Sequence, residues 1–277
     1  MTGHHRFPCM LIKILVLALV LLLLLAIFYP RAFLALLRRV GRSFGDLGRA
    51  GREIASGQEV EGSPLARYEV KAGELLLLKV EANVVRTPDT AIAQLVDTVG
   101  RRVASVAQRR EIPYRFAVIE DEQPNAFAVP GGAIFVTRSL VDLCESDVDA
   151  LAGVIGHEIA HIDRRHAIYR LATSTAAKTG AIILTLGRAL LLRRIAGQME
   201  QLLVKGYGRE QEYEADTVGS DLARRAGYDP RGLGRLLARL AETRPESGQR
   251  LEELLQYFAS HPPLPDRCAR LRQTYGG

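Results

Sequence analysis

Residues 157–161 read His-Glu-Ile-Ala-His, and they follow a run of small and apolar residues, "ALAGVIG" at 150–156. Three ionisable side chains set so closely in an apolar segment constrain the fold more than any other feature of the chain, because burying such groups without partners is costly. On an α-helix each residue advances about 100°, so His157 and His161 lie within about 40° of one another and their imidazoles converge. Zinc accepts neutral imidazole nitrogen, and a catalytic zinc takes three protein ligands and keeps a position for water. Glu158, one residue round the helix from His157, does not share that vertex. It can reach a metal-held water as general base, while zinc lowers the water's pKa and polarises a carbonyl. The pattern predicts a helix from about Asp147 to Arg165 buried beneath a cleft. The competing reading is a helix that carries two surface histidines and no metal.

A third ligand is needed. His166 stands five residues beyond His161, about 140° away on a continuous helix, so it points elsewhere and reads as a structural histidine or a helix-end cation. The spacing H-E-x-x-H-x-x-G-x-x-H also fails, since position 164 is Arg and position 167 is Ala. The better candidate lies in "GREQEYEADTVG", 208–219. Glu212 and Asp216 are four apart on a predicted helix, so Glu212 can complete the ligand set and Asp216 can hydrogen-bond a ligating imidazole and fix its tautomer. Glu210 and Glu214 fall on other faces and read as solvated. An ordinary acidic helix face is the plain alternative for this segment.

Near the N-terminus, Leu11 to Tyr29 reads "LIKILVLALVLLLLLAIFY", with Lys13 its one charge. That length spans about 28 Å as a helix, close to the hydrocarbon thickness of a bilayer. Tyr29-Pro30-Arg31 follows it with no small-residue cleavage site, which favours an uncleaved single-pass anchor over a signal peptide. Arg31, Arg38, Arg39, Arg42, Arg49 and Arg52 come next. They put the rest of the chain in the cytoplasm if read as topology signals, or lay "RAFLALLRRVGR" on anionic lipid as an amphipathic helix. This clustering also accounts for much of the net charge of +6. No nucleic-acid fingerprint accompanies it, so nucleic acid is not an expected partner. Cys9, Cys144 and Cys268 form no paired framework and no thiolate zinc site, although a single Cys144–Cys268 bridge is compatible with the sequence.

The 277 residues suffice for one substantial core and a small appendage. The expected organisation is a short N-terminal segment at 1–10, an anchor at 11–29, a basic juxtamembrane helix and tether at 30–66, and a catalytic domain at 67–277. Within it, "RYEVKAGELLLLKVEANVV" reads as β-rich, with a turn at Gly73 and a buried strand at Leu75–Leu78. Apolar spacing from Ile92 to Val106 predicts an amphipathic helix over 89–110. "YRFAVIED" reads as a strand, and "NAFAVPGGAIFVTR" as two short strands about Pro130-Gly131-Gly132. Helices fill the remainder, including one through Glu212 to Ala226. The stretch "AIILTLGRALLL", 181–192, is a buried helix or a membrane-touching flap. The fold class is α+β, mostly helical, with a small sheet.

Together, "NAFAVPGGAIFVTR", "HEIAHIDRRH", "EYEAD" and "SHPP" resemble, in their order, a family of membrane-associated zinc metallopeptidases. That family includes the HtpX heat-shock proteases, the CAAX prenyl endopeptidases, and the BepA-like and mitochondrial inner-membrane quality-control proteases. The resemblance covers roughly 68–275. It implies a compact gluzincin-type domain that binds one zinc ion per chain through His157, His161 and Glu212, with Glu158 catalytic. It implies that Asn125, Ala126, Phe127 and Ala128 end in an edge strand that binds extended substrate through its main chain; a plain core strand is compatible with that. It brings His261 toward the zinc, to stabilise an oxyanion, to close the open coordination position, or to stand by as a loop histidine. One span, with no chamber of several, argues against prenylated substrates. No helical-repeat segment follows the motifs. The expectation is a single-pass bacterial inner-membrane endopeptidase acting on misfolded or damaged polypeptides beside the lipid bilayer. A metal-stabilised chaperone or assembly factor without peptidase activity is the rival.

Overall fold

The structure, a computed structural model of the chain, describes residues 64–170, 206–242 and 264–276 throughout, with short runs between 17 and 49 and between 196 and 200. It divides into two units, Met1–Pro64 and Leu65–Gly277. In the first, residues 24–28 and 30–35 are helical, and Ile27, Phe28 and Tyr29 are exposed. No helix among the described residues is long and apolar enough to cross a membrane. Most of the expected anchor at 11–29, the 181–192 stretch and His261 lie outside the described residues.

Helix α1, Pro64–Glu81, belongs from Leu65 onward to the second unit and stands where a strand and a turn at Gly73 were expected. The physical reason is a helical burial period that the leucine run hides. Glu69, Ala72 and Leu76 are buried at spacings of three and four, whereas Leu75 and Leu78 are 41% and 67% exposed. Leucine also favours helix more than strand. Gly73 makes no turn. It lets α1 lie against the backbone of Pro130, since a Cβ there would fall 1.7 Å from the Pro130 carbonyl oxygen.

Helix α2, Thr90–Ala104, is the predicted amphipathic helix, but it stops at the Ser105 cap, six residues short of the expected end at 110. Asp89 caps it by accepting from the N–H groups of Ala91 and Ile92 at 3.1 Å each, satisfying two of the donors that a helix start leaves free. Strands β1 (Arg115–Ile119), β2 (Ala126–Val129) and β3 (Ala133–Thr137) form a three-stranded sheet in the order β1-β3-β2, with β1 parallel and β2 antiparallel to β3. The central strand β3 is buried along its whole length. The outer edge of β1 is partly covered, because Thr87 N donates to Val118 O and Glu120 N donates to Val85 O.

A short helix, α3 (Arg138–Leu143), leads to α4, Val148–Asp163, which is buried from Ala150 to Asp163. Asp147 caps α4 through the N–H of Ala150, and Arg235 and Arg239 clasp the same carboxylate. At the other end, the Asp163 carboxylate accepts from the N–H groups of Gln108 and Arg109 and from the Tyr114 hydroxyl. Helices α5 (Arg209–Arg225), α6 (Gly232–Glu242) and α7 (Leu264–Tyr275) complete the described elements.

The sheet separates two apolar clusters. On one face Ala126, Ala128, Ile134 and Val136 join residues of α2, α4, α5, α6 and α7. On the other Val129, Ala133 and Phe135 meet Ala72 and Leu76 of α1, with Ile168 and Met199. Cys144 and Cys268 belong to the first cluster and are free, buried thiols, so they form no bridge.

Candidate metal centre

Helices α4 and α5 touch backbone to backbone, and two glycines permit it. A Cβ on Gly156 would lie 2.4 Å from the carbonyl oxygen of Gly219, and one on Gly219 would lie 2.4 Å from the nitrogen of His157. This approach sets His157 and His161 of α4 opposite Glu212 and Asp216 of α5, one turn apart on its buried face.

His157, His161 and Glu212 form a buried group whose ligand atoms all lie within 4.8 Å of one another and can hold a metal ion. The two Nε2 atoms are 3.0 Å apart; Glu212 Oε2 is 3.5 Å from that of His157, and Glu212 Oε1 is 3.6 Å from that of His161. Ligands bound at zinc's usual distance of about 2.0–2.1 Å in tetrahedral geometry stand about 3.4 Å apart. The imidazole–imidazole separation and the shortest approach of each imidazole to the carboxylate, made to its two different oxygens, lie close to that value, and two imidazoles with a carboxylate are a donor set that zinc accepts. Glu158 sits beside His157 on α4 and is also buried.

The outer nitrogen of His157 is held by charge. Its Nδ1 lies 3.0 Å from Asp216 Oδ1. Arg267 of α7, fully buried, grips the same carboxylate with two bonds, Nε to Oδ2 at 2.8 Å and a terminal nitrogen to Oδ1 at 2.6 Å. Its remaining terminal nitrogen is 3.4 Å from Glu212 Oε2. Burial alone would raise the Asp216 carboxyl, but Arg267 and His157 hold it below the usual carboxylate range. Burial likewise opposes charge on His157. Asp216 and Glu212 outweigh it and push the imidazole up to about 9 in the metal-free site.

His161 has different neighbours. The ring of Tyr207 stacks on it, with centroids 4.0 Å apart. Burial, then the carboxylates of Glu158 and Glu212, raise the Tyr207 hydroxyl and keep it protonated. His161 Nδ1 lies 2.8 Å from His166 Nδ1, so His166 meets the ring nitrogen that does not face the cluster.

Asn125–Ala128 occupies the start of β2. Asn125 O accepts from Thr137 N at 2.9 Å, and Asn125 N donates to Thr137 Oγ1 at 2.8 Å. Bonding alternates along an antiparallel pair. The register Phe127–Phe135 therefore turns Phe127 toward β3 and leaves the N–H and C=O groups of Ala126 and Ala128 on the outer edge. The methyl groups of these alanines pack in the same cluster as α4, whereas Phe127 stacks on Phe135 across the other face.

Three participants escaped the sequence reading. Arg267 had a readable signal: two carboxylates on one buried helix face call for a buried cation, and Arg267 shares a helical face with Leu271. Tyr207 offered no pattern. Glu214, read as solvated, has a side chain 47% exposed, yet it pairs with Arg164 at 3.2 Å and lies 3.3 Å from His166 Nε2.

Residues 91–275 match the family model of peptidase family M48. A beta-barrel assembly-enhancing protease of Yersinia pestis is 30% identical over 210 residues, covering 72% of this chain and 42% of the relative. The mitochondrial metalloendopeptidase OMA1 of Schizosaccharomyces pombe is 29% identical over 183 residues, covering 64% of this chain and 51% of the relative. A protease HtpX homolog of Salinibacter ruber is 32% identical over 211 residues, covering 63% of this chain and 73% of the relative. The chain thus spans about half the length of the first two. A buried pair of imidazoles facing a carboxylate, carried on the segment that the family model matches, leads to one conclusion: this chain belongs to peptidase family M48.

Proposed function

We propose that the chain is a membrane-anchored zinc metalloendopeptidase that hydrolyses peptide bonds of misfolded or damaged proteins. The observation that carries this reading is the His157–His161–Glu212 cluster with Glu158 beside it, all buried on two helices in glycine contact. His157, His161 and Glu212 would hold the ion, and Asp216 would orient His157. Bound zinc supplies a Lewis acid that polarises the scissile carbonyl and acidifies a water. Glu158 takes the proton of the attacking water and returns it to the departing amine. β2 is an edge strand of the sheet, and Asn125–Ala128 would align an extended substrate by strand pairing once that edge, where Ala126 and Ala128 are buried, is uncovered. His261 stands six residues before Arg267, and Arg267 reaches Asp216 and Glu212. The role proposed for His261 at the same centre rests on the resemblance of the "SHPP" motif.

The anchor is proposed from Leu11–Tyr29 and its arginine-rich sequel, which favour a single-pass bacterial inner-membrane protein with substrates beside the bilayer. The endopeptidase role is supported by relatives named as a beta-barrel assembly-enhancing protease and as a mitochondrial metalloendopeptidase.

The test is Glu158→Gln. The variant is expected to keep one zinc per chain while cleavage of denatured casein falls by about 10²–10⁴-fold, the range for loss of a general base. Undiminished cleavage refutes the role of Glu158. A wild-type chain that binds denatured casein and never cuts it turns the reading toward a chaperone.

A further inference from the structure

We propose that His166, backed by Glu214, is a positioning residue that fixes the tautomer and ring orientation of His161, so that the Nε2 lone pair of His161 points at the metal. The inference rests on the metal reading above and extends it to residues outside the ligand set.

Its basis is proton bookkeeping along a short chain of atoms. His161 Nε2 faces His157 Nε2 at 3.0 Å and Glu212 Oε1 at 3.6 Å, so a ligating lone pair must sit there and the ring proton must sit on Nδ1. His161 Nδ1 is 2.8 Å from His166 Nδ1. A hydrogen bond between two ring nitrogens needs one proton between them, not two and not none. If His161 supplies it, His166 accepts at Nδ1 and carries its own proton on Nε2, which lies 3.3 Å from Glu214 Oε2 and can donate to it. The opposite assignment fails at both ends. It places a proton on His161 Nε2, where the metal would be, and sets a bare His166 Nε2 against a carboxylate oxygen. Glu214 therefore decides the tautomer of His166, and His166 decides that of His161.

The backbone explains how a residue five positions beyond His161 comes back to it. Helix α4 stops at Asp163, and Arg165 takes a left-handed conformation at φ +53, so the continuous-helix angle no longer applies. A new helical run begins at His166. Gln211 of α5 donates to the His166 carbonyl at 3.3 Å, and its own side-chain oxygen accepts from Gly208 N at 3.2 Å, which ties the run to the start of α5. The His161 ring is held on several sides: stacked by Tyr207, and edge-on to His166 with centroids 4.9 Å apart and planes at 73°. Arg164 engages the other oxygen of Glu214 at 3.2 Å.

The experiment uses the full chain in detergent and compares wild type with His166→Phe, His166→Gln and Glu214→Ala. Zinc affinity is read by competition with a chromophoric chelator, the ligand field by visible absorption of the cobalt-substituted protein, and the fold by circular dichroism. Loss of a group that orients a metal ligand commonly costs 10–100-fold in affinity. His166→Phe, which keeps a ring and loses both nitrogens, is expected to weaken zinc by about 10–100-fold and to change the cobalt spectrum. His166→Gln, whose amide can accept from His161 and donate to Glu214, should recover most of the affinity. Glu214→Ala should fall between His166→Phe and wild type. If the phenylalanine variant does not fold, the ordering of glutamine above Glu214→Ala carries the test. A wild-type chain that takes up zinc, with a folded His166→Phe matching its affinity and spectrum, overturns the positioning role alone. A wild-type chain that takes up no zinc overturns the metal reading and this inference with it.

Discussion

The two histidines of α4 that face Glu212 are held in place by unlike means. His157 is held from behind by a buried ion pair, Asp216 with Arg267, contributed by α5 and α7. His161 is held by a neutral imidazole, a stacked phenol ring and, at the end of the line, a half-exposed carboxylate. The difference has a physical origin. His157 lies at the contact of α4 with α5, where solvent is excluded and a bound carboxylate needs a counter-charge at hand. His161 lies near the end of α4, where the chain turns back on itself and the neighbouring groups run out to the surface. Loss of charge should damage the first arrangement more than the second, and changes in helix spacing should separate them.

The largest effect is expected from Arg267→Met. It leaves Asp216 and Glu212 buried without their cation, an arrangement whose cost is about 3–5 kcal/mol. Denaturant titration of the metal-free protein should show that loss, and zinc should recover part of it by neutralising Glu212. A change below about 1 kcal/mol would mean that the buried pair contributes no more than a surface one. Next comes Gly219→Ala, whose new Cβ collides with the backbone of His157. Overpacking of this kind costs about 1–3 kcal/mol, and it moves Glu212 and Asp216 away from α4 at the point of collision, while the His161–His166 contact, made within the α4 side, is preserved. Zinc affinity should fall more than stability does; equal affinity would show that the helices need not touch there.

A further effect is graded by pH. His157 in the metal-free folded site titrates near 9, above the ordinary 6.5. Its contribution to the stability of the metal-free protein is therefore fully present below about 6.5 and is lost as pH rises through about 9. Zinc must displace that proton, so affinity should rise about tenfold per pH unit toward 9 and then level. Melting temperature of the metal-free protein and zinc affinity should thus move in opposite directions across the same window. His157→Gln should flatten the first trend. A flat affinity profile from pH 6.5 to 9 would show that Asp216 and Glu212 do not hold the imidazole protonated across that window.

How much of this was legible from the chain alone differs between the two helices that flank the sheet. In α4 the polar residues announced themselves, since His, Glu and His at helical spacing in an apolar run have few uses. In α1 four leucines in a row concealed the face that matters, because Glu69, Ala72 and Leu76 are buried by what surrounds them and not by what they are. The hairpin of β2 and β3 was readable from its Pro-Gly-Gly turn, as was the pairing of Glu212 with Asp216. The turn at Arg165 was not. A left-handed arginine is chosen by the packing at the end of α4, and without it His166 points away from His161. Arg267 was legible only through the two carboxylates that call for a buried cation, since the charged residues around it are exposed.

The central claim is that His157, His161 and Glu212 together hold one zinc ion. Metal analysis of the purified full chain and of Glu212→Gln, after equilibration with zinc and removal of excess, tests it most directly. One zinc per wild-type chain and a strongly depleted variant is the result predicted. Wild type without zinc, or a variant that retains it equally well, would contradict the account.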